Sequence, residues 1–304
     1  MPAPTAGEGE VLVDVHAVGV GGGETMFRSG ALRRVLPYRF PQGVGNDFAG
    51  RVASGGADGL RAGDAVYGLM PYRTFGSLAD RIAVPAGKLA AAPRDVDLIH
   101  AAALPSSGTT AVTALVDKAA LRAGERLLVR GAAGGVGSIV VQLGKALGAH
   151  VTALVSARNL AWIRELGADA AFDYRAIAPG DLGKFDVVVD IVGTDLGAYR
   201  SLLTRRGRMV LLAMDPNRII ASAAYTVWAS ATAPKRVKSF SNNPSAEIIA
   251  TLTSFVDSGA IRPVVDSVFR MEQTAEAHAR LEAGGVRGKY VIALKDPKGT
   301  TSEA

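Results

Sequence analysis

Along Glu10–Val18 apolar and polar residues alternate, with Val11, Val13 and Val15 on one face, which is the period of a half-buried strand. The same short-strand pattern returns at Phe48–Ala53, at Asp64–Gly68 after the turn Arg61-Ala62-Gly63, and at Arg81–Pro85. Short strands broken by Gly, Pro and Asp predict a small barrel or sandwich. From about Leu121 the pattern changes. Near-continuous apolar strands are predicted at Leu127–Arg130, His150–Val155, Ala170–Phe172, Phe185–Val192 and Arg208–Ala213. Between them helical periods run through Ile139, Val140, Val141, Leu143, Ala146 and Leu147, over Asn159–Leu166 and near Ala198–Leu203. Strands without polar alternation suit a parallel sheet covered on both faces, so this stretch predicts a doubly wound α/β domain. After Asn242-Asn243-Pro244 the pattern predicts a helix over Ala246–Ser258, a strand at Val264–Phe269, a helix at Thr274–Ala283 and a strand at Lys289–Leu294. The tail from Lys295 is polar and expected to be loose.

The junction at Leu127–Gly137 adds chemistry to this pattern. There an apolar strand enters the turn Gly131-Ala132-Ala133-Gly134-Gly135-Val136-Gly137, with a helical period behind it. Ala132, Gly134 and Gly137 occupy the three positions of the dinucleotide fingerprint, alanine replacing the first glycine. A small residue makes the tight turn, Gly134 admits a pyrophosphate to the backbone, and Gly137 lets the helix pack close to the strand. The open N–H groups at the helix start, from Gly135 and Val136 onward, then hold phosphate charge. The other reading, a glycine-rich turn with no ligand, is disfavoured by the strand and helix that frame it.

Composition narrows the choices. The 304 residues are long for one core, 48% hydrophobic and 20% charged residues exclude a disordered chain, and the absence of Cys removes disulfides, thiolate metal sites and a cysteine nucleophile. No apolar run is long enough to span a membrane, and the first ten residues lack a basic region followed by an apolar one, so the expectation is a cytoplasmic protein without membrane. The net charge of +6 raises nucleic acid, but the basic residues are scattered and the densest pairs lack interleaved aromatics. The expectation is therefore no nucleic-acid partner.

Several separate motifs, in order, carry a family resemblance: Gly9-Glu10-Val11-Leu12-Val13, Gly45-Asn46-Asp47-Phe48-Ala49-Gly50, Gly63-Asp64-Ala65-Val66-Tyr67-Gly68, Ala102-Ala103-Leu104-Pro105, Thr109-Thr110-Ala111, the fingerprint, Leu166-Gly167-Ala168-Asp169, Ala277-His278 and Gly288-Lys289. Through them the chain resembles the zinc-less quinone oxidoreductase branch, the zeta-crystallin-like group, of the medium-chain dehydrogenase/reductase superfamily. The resemblance implies an α/β protein in which a GroES-like β-barrel domain, built from residues 1–103 and 244–304, accompanies a Rossmann domain over 104–243. It places the active site in the cleft between the two and implies a homodimer. Three departures stand out. The family's opening strand pair precedes the segment matching Gly9-Glu10-Val11, whereas this chain starts at Met1, so either the barrel lacks those strands or this start is a truncated one. The family's Asn-Pro with a following Asp is replaced by Gly21-Gly22-Gly23-Glu24, which reads as a flexible loop. Leu32 falls where some relatives place a tyrosine. The zinc ligands of the alcohol dehydrogenases are missing: Gly45-Asn46-Asp47 stands in their Gly-His-Glu motif, and His16, His100, His150 and His278 are far apart. No metal site is expected.

The nucleotide is read from the end of the second strand. An NAD site expects an acidic residue there, about 20 residues past the fingerprint, for the ribose 2′-hydroxyl. The chain has Ser156-Ala157-Arg158-Asn159 instead. A serine hydroxyl and an arginine fork suit a 2′-phosphate, so NADPH is the expected cofactor. The competing reading is a capping serine and a solvated arginine. Lys289 could add charge near the phosphates. By resemblance the nicotinamide ring contacts Thr110, the turn at Val192, the strand end at Leu212 and Ala213, and Ser239-Phe240-Ser241. The substrate pocket is expected to hold Tyr38, Tyr67 and Phe240, with Asn46 as a polar contact, although Tyr67 could equally pack the barrel. No Ser-His-Asp or paired-carboxylate arrangement can be built from these residues. The function implied is metal-independent hydride transfer from NADPH to a quinone or α,β-unsaturated carbonyl, with protonation from solvent. The alternatives are an enoyl reductase on a thioester or polyketide intermediate, and a non-catalytic NADPH-binding protein.

Overall fold

The computed structural model describes residues 4–30, 43–54, 59–71, 74–215, 218–233 and 236–295. The chain divides into two compact units, residues 1–109 with 243–304, and residues 110–242.

The first unit opens with β1 (Glu10–Val20), α1 (Gly22–Arg28), β2 (Asp47–Ser54), β3 (Ala65–Leu69), β4 (Arg81–Pro85), β5 (Leu89–Ala91) and α2 (Leu98–Ala101). Helix α3 (Pro105–Val112) spans the division between the units. Strand β1 organises the sheet: it is antiparallel to β4 over Glu10–Asp14, to β2 over Leu12–Ala17, and to the last strand of the chain over Ala17–Val20. The alternation seen in the sequence has the expected consequence, with Val11, Val13 and Val15 fully buried in a core with Phe48, Val66, Ile82 and Val84.

The second unit holds β6 (Arg126–Arg130), α4 (Gly135–Ala146), β7 (His150–Val155), α5 (Leu160–Glu165), β8 (Ala170–Asp173), β9 (Phe185–Asp190), α6 (Leu196–Arg200), β10 (Leu203–Leu211), α7 (Ile219–Thr232) and β11 (Val237–Ser239). Its strands are parallel and ordered β11-β10-β9-β6-β7-β8. That is the doubly wound order, with its switch point between β6 and β9. Leu127, Leu128, Val129, Val187, Val188 and Val189 are fully buried, as strands covered on both faces must be.

The chain returns to the first unit through α8 (Ala246–Asp257), β12 (Val265–Arg270), α9 (Thr274–Ala283) and β13 (Lys289–Ala293). β13 pairs with both β1 and β12, so the last strand closes onto the first. Two helices depart from the sequence expectations. The three glycines at 21–23 are not a loose loop: Gly21 caps α1, and Gly22 and Gly23 are its first turn. The reason is Glu24, whose carboxylate turns back onto the backbone N–H of Gly21 at 3.4 Å, the way an acidic residue in a first turn closes a helix start. Helix α7 was not foreseen, because residues 219–232 are apolar nearly all round and carry no amphipathic period.

Candidate functional site

In the second unit the fingerprint forms as its residue types require. Gly131 adopts a positive φ of 76°, Gly134 caps α4 in an extended conformation, and the Ser138 N–H donates to the Gly134 carbonyl at 2.9 Å. The two glycines differ in why they must be small. At Gly137 a Cβ would overlap the Gly131 carbonyl and sit 2.7 Å from the Ala132 Cα, so close packing of α4 on the turn demands glycine. At Gly134 the nearest atom to a Cβ is the Gly131 carbonyl oxygen, 3.8 Å away, and its φ of −77° suits any residue. Among the described residues nothing demands glycine there. The room faces the N-terminal turn of α4, where the Gly135, Val136 and Gly137 N–H groups have no acceptor within the helix. An anion fits that place.

The other expected cofactor residues gather at the carboxyl ends of the same sheet. Ser156 follows β7, and its hydroxyl accepts from the Asn159 amide at 3.3 Å while its carbonyl accepts from the Asn159 N–H at 2.8 Å. Asn159 is buried and its amide is turned into the bend, so it shapes the turn that presents the exposed Arg158. Val192 follows β9, and Leu212 and Ala213 follow β10. The Leu212 N–H donates to the Asp190 carbonyl at 2.9 Å, which joins the two strand ends. A Cβ at Gly193 would sit 2.6 Å from Met214 and Asp215 backbone atoms, so these turns touch. Ser239 ends β11 opposite Leu211, and the Phe240 ring, just before Ser241, lies 5.9 Å from the Lys118 ammonium. Thr110 is buried on α3.

At the switch point lies a pair that sequence reasoning missed. Arg130 ends β6 and Asp190 ends β9, in register with each other, and their side chains form a buried ion pair. Arg130 also donates to the Thr194 carbonyl at 2.7 Å, and its guanidinium lies 3.5 Å from the centre of the Tyr199 ring. The other Asp190 oxygen accepts from the N–H groups of Val192 and Gly193, at 2.9 and 2.7 Å. One carboxylate thus sets the turn expected to meet the nicotinamide. The sequence signal was opposite charges ending two apolar strands, but it becomes meaningful only once those strands are known to be neighbours.

Three expectations in the first unit are corrected or left unsupported by their surroundings. Tyr67 is completely buried, and its hydroxyl bonds the Ile249 carbonyl at 3.1 Å and the Thr253 hydroxyl at 2.9 Å. Burial pushes its phenol well above the usual tyrosine range, and its hydroxyl ties β3 to α8. Lys289 is no loose cation for a phosphate, because it is buried against the Asp47 carboxylate and 3.1 Å from the Ser106 hydroxyl. Asp47 also accepts from the Ser106 N–H at 3.0 Å and its hydroxyl at 2.7 Å, and so caps the first turn of α3. Asn46 precedes β2, half-buried, with its carbonyl accepting from Met70 at 2.9 Å. Tyr38 and Leu32 lie outside the described residues.

Glu24 was likewise not foreseen. Its carboxylate is buried, accepts from the Gly45 N–H at 2.6 Å, and sits 3.9 Å from the buried His278 Nε2. Burial pushes its carboxyl up from 4.5 to about 7, against the opposing pull of the Gly45 N–H and of Lys289, with Asp47 adding to the rise. The His278 imidazole is held below its ordinary value by burial. A raised carboxyl means that the folded chain binds the proton more tightly than the unfolded one. The Glu24 contribution is therefore full below pH 4.5 and is lost as pH rises towards 7. The 2.5-unit rise corresponds to about 3 kcal/mol. Unfolding free energies of wild type and Glu24→Gln, measured by denaturant from pH 5 to 8, should diverge by that order, with the variant gaining relative stability at high pH. Parallel curves would show that Glu24 does not titrate in this range.

Comparison with known proteins agrees with this architecture. Residues 7–94 match the family described as alcohol dehydrogenase GroES-like domain, and residues 166–292 match that described as zinc-binding dehydrogenase. The chloroplast envelope quinone oxidoreductase homolog of Arabidopsis thaliana is 31% identical, across 96% of this chain and 92% of its own length. An NADPH-dependent alkenal/one oxidoreductase from the chloroplast of the same plant is 32% identical, across 95% of this chain and 73% of its own. The quinone oxidoreductase structure from Coxiella burnetii superimposes with a TM-score of 0.83 at 27% identity, covering 97% of this chain and 93% of that one. The chain belongs to the quinone oxidoreductase, zeta-crystallin-like branch of the medium-chain dehydrogenase/reductase superfamily. Among the described residues no helix is long and apolar enough to cross a membrane.

Proposed function

We propose that this protein reduces a quinone or the conjugated double bond of an enone with NADPH, without a metal. The observation that carries the reading is the open space at Gly134, at the start of α4, with Ser156 and Arg158 displayed one strand away. Bound NADPH would supply the hydride. The residues of the chain bind and orient: the first turn of α4 for the pyrophosphate, Ser156 and Arg158 for the 2′-phosphate, and the turn set by Asp190 for the ring. The relatives named for quinones and for alkenals support the acceptor class.

Zinc does not fit the residues present. The chain lacks Cys, and among the described residues no three or more His, Asp or Glu side chains cluster to hold an ion. The proton that completes the reduction is read as coming from solvent, since the Tyr67 hydroxyl is committed to Ile249 and Thr253. A homodimer in the cytoplasm belongs to the same reading and is tested by sedimentation and by fractionation.

The test is NADPH oxidation against quinones, short and long enones and enoyl thioesters, with NADH for comparison. Turnover with thioesters alone would move the substrate to a carrier-bound intermediate. Arg158→Ala should weaken NADPH by about 10- to 100-fold, since charge-assisted hydrogen bonds contribute about 1.5–3 kcal/mol. NADH binding should be unchanged in the variant. Equal losses for both nucleotides would remove Arg158 from the 2′-phosphate site.

A further inference from the structure

Helix α7 is built inside out. Its solvent face is Ile220, Ala221, Ala224, Val227, Trp228 and Ala231, at the i, i+1, i+4, i+7, i+8 and i+11 positions of one helical stripe. Ile220 is 71% exposed, Val227 70% and Trp228 54%. On the inward face Ala229 is fully buried, Tyr225 packs partly buried against the core, and the Ser222 hydroxyl accepts from the Asp215 N–H at 3.2 Å. The helix contains no charged residue. An apolar stripe in water is costly, and large exposed apolar surfaces mark places where something else docks.

The charge around this face says what docks. The basic residues are spread along the sequence, but their excess over acids is not. Residues 196–242 contain eight Lys and Arg against one Asp, a net +7, so the rest of the chain contributes −1 to the total of +6. Several of these cations rim α7. The Arg200 guanidinium lies 5.3 Å from the centre of the Trp228 ring. Arg236, just past the helix, donates to the Thr204 and Gly207 carbonyls at 2.9 and 3.1 Å, which holds that end of α7 beside the exposed Arg205 and Arg206 of β10. Arg218 is exposed at the other end.

We propose that α7 and its arginine rim form a docking surface for an anionic lipid bilayer, with Ile220, Val227 and Trp228 entering the headgroup boundary and the arginines holding lipid phosphates. An apolar helix face edged with cations has the composition of an interfacial helix. A second copy docked about a two-fold axis would bring the same arginines against each other, which like charges oppose. Nucleic acid would use the cations but leave the apolar face in water. Such a peripheral surface needs no spanning helix, and among the described residues none is long and apolar enough to be one. The inference is independent of the proposed nucleotide and substrate.

The chain has two tryptophans, Trp162 and Trp228, so Trp162→Phe makes Trp228 the sole indole reporter. With the full-length protein, its emission should shift to the blue on adding vesicles of phosphatidylcholine containing about one-third phosphatidylglycerol, and not on adding phosphatidylcholine alone. The protein should co-sediment with the anionic vesicles and be released at about 0.5 M salt. Each basic residue near the surface contributes about 1 kcal/mol, so Arg205→Ala with Arg206→Ala should weaken vesicle binding by about 25-fold. Val227→Asp should abolish the blue shift while leaving NADPH turnover unchanged. Absence of co-sedimentation, equal binding to neutral vesicles, or a wild-type dimer that Val227→Asp separates would each overturn the proposal. So would tight binding to duplex DNA with no vesicle binding.

Discussion

Gly137→Val is expected to unfold the nucleotide turn, whereas Gly134→Val is expected to leave the fold intact and lose the nucleotide. The two positions lie three residues apart in one glycine-rich run, and composition alone treats them alike. Their surroundings do not. A side chain at Gly137 meets the Gly131 carbonyl and the Ala132 backbone, and backbone atoms cannot step aside by changing rotamer. Overpacking against a rigid neighbour costs about 3 kcal/mol or more, several degrees in melting temperature. At Gly134 the extended backbone accepts valine, and the nearest atom leaves room for a Cβ at 3.8 Å. The added methyl groups would occupy the approach of the pyrophosphate and weaken NADPH by about 100-fold, or about 2.7 kcal/mol. Thermal melts and nucleotide titrations of the two variants decide it. If Gly134→Val binds NADPH like the wild type, the dinucleotide does not lie on this turn.

The second large effect is expected at the buried pair of Asp47 and Lys289. Asp47→Leu would strand the Lys289 ammonium and leave the Ser106 N–H and hydroxyl without their acceptor at the head of α3. Removing one partner of a buried ion pair costs about 3–5 kcal/mol, because the survivor keeps its desolvation and loses its compensation. Joining Lys289→Met to Asp47→Leu removes the stranded charge. The double variant should therefore recover most of the loss and come within about 1–2 kcal/mol of wild type. Chemical denaturation of the four proteins in the cycle measures this. A double variant as unstable as the sum of its parts would mean that the two side chains contribute independently, and that Asp47 matters for capping α3 alone.

Much of the fold was legible because the strongest signals are local. The alternation at Glu10–Val18, the unbroken apolar strands at 127–130 and 185–190, and the amphipathic period over 246–257 each follow from which face of one element meets a core. The fingerprint belongs to this group, since its turn, cap and helix start lie within seven consecutive residues. The serine and arginine after β7 were equally readable as residue types. Their presentation was not, because it rests on the buried Asn159 amide donating to the Ser156 hydroxyl.

Two features needed the folded chain. Tyr67 could line a pocket or pack a barrel by its amphipathic ring, and only the arrival of α8, about 180 residues later, commits its hydroxyl to Ile249. The apolar residues of α7 would ordinarily face inward, yet only Ala229, Tyr225 and Ala233 meet the cluster of Leu203, Met209 and Val237, and Ile220, Val227 and Trp228 are left outside.

By itself the sequence determined the element types, the parallel character of the second sheet, the dinucleotide turn and the phosphate-friendly strand end. Each is encoded in the period or identity of adjacent residues. The tertiary structure alone decided which charges meet: Asp47 with Lys289 across 242 positions, Arg130 with Asp190 across 60, and Glu24 with the Gly45 backbone across 21. Such pairings are set by strand register and chain closure, and no local pattern of residues carries that information.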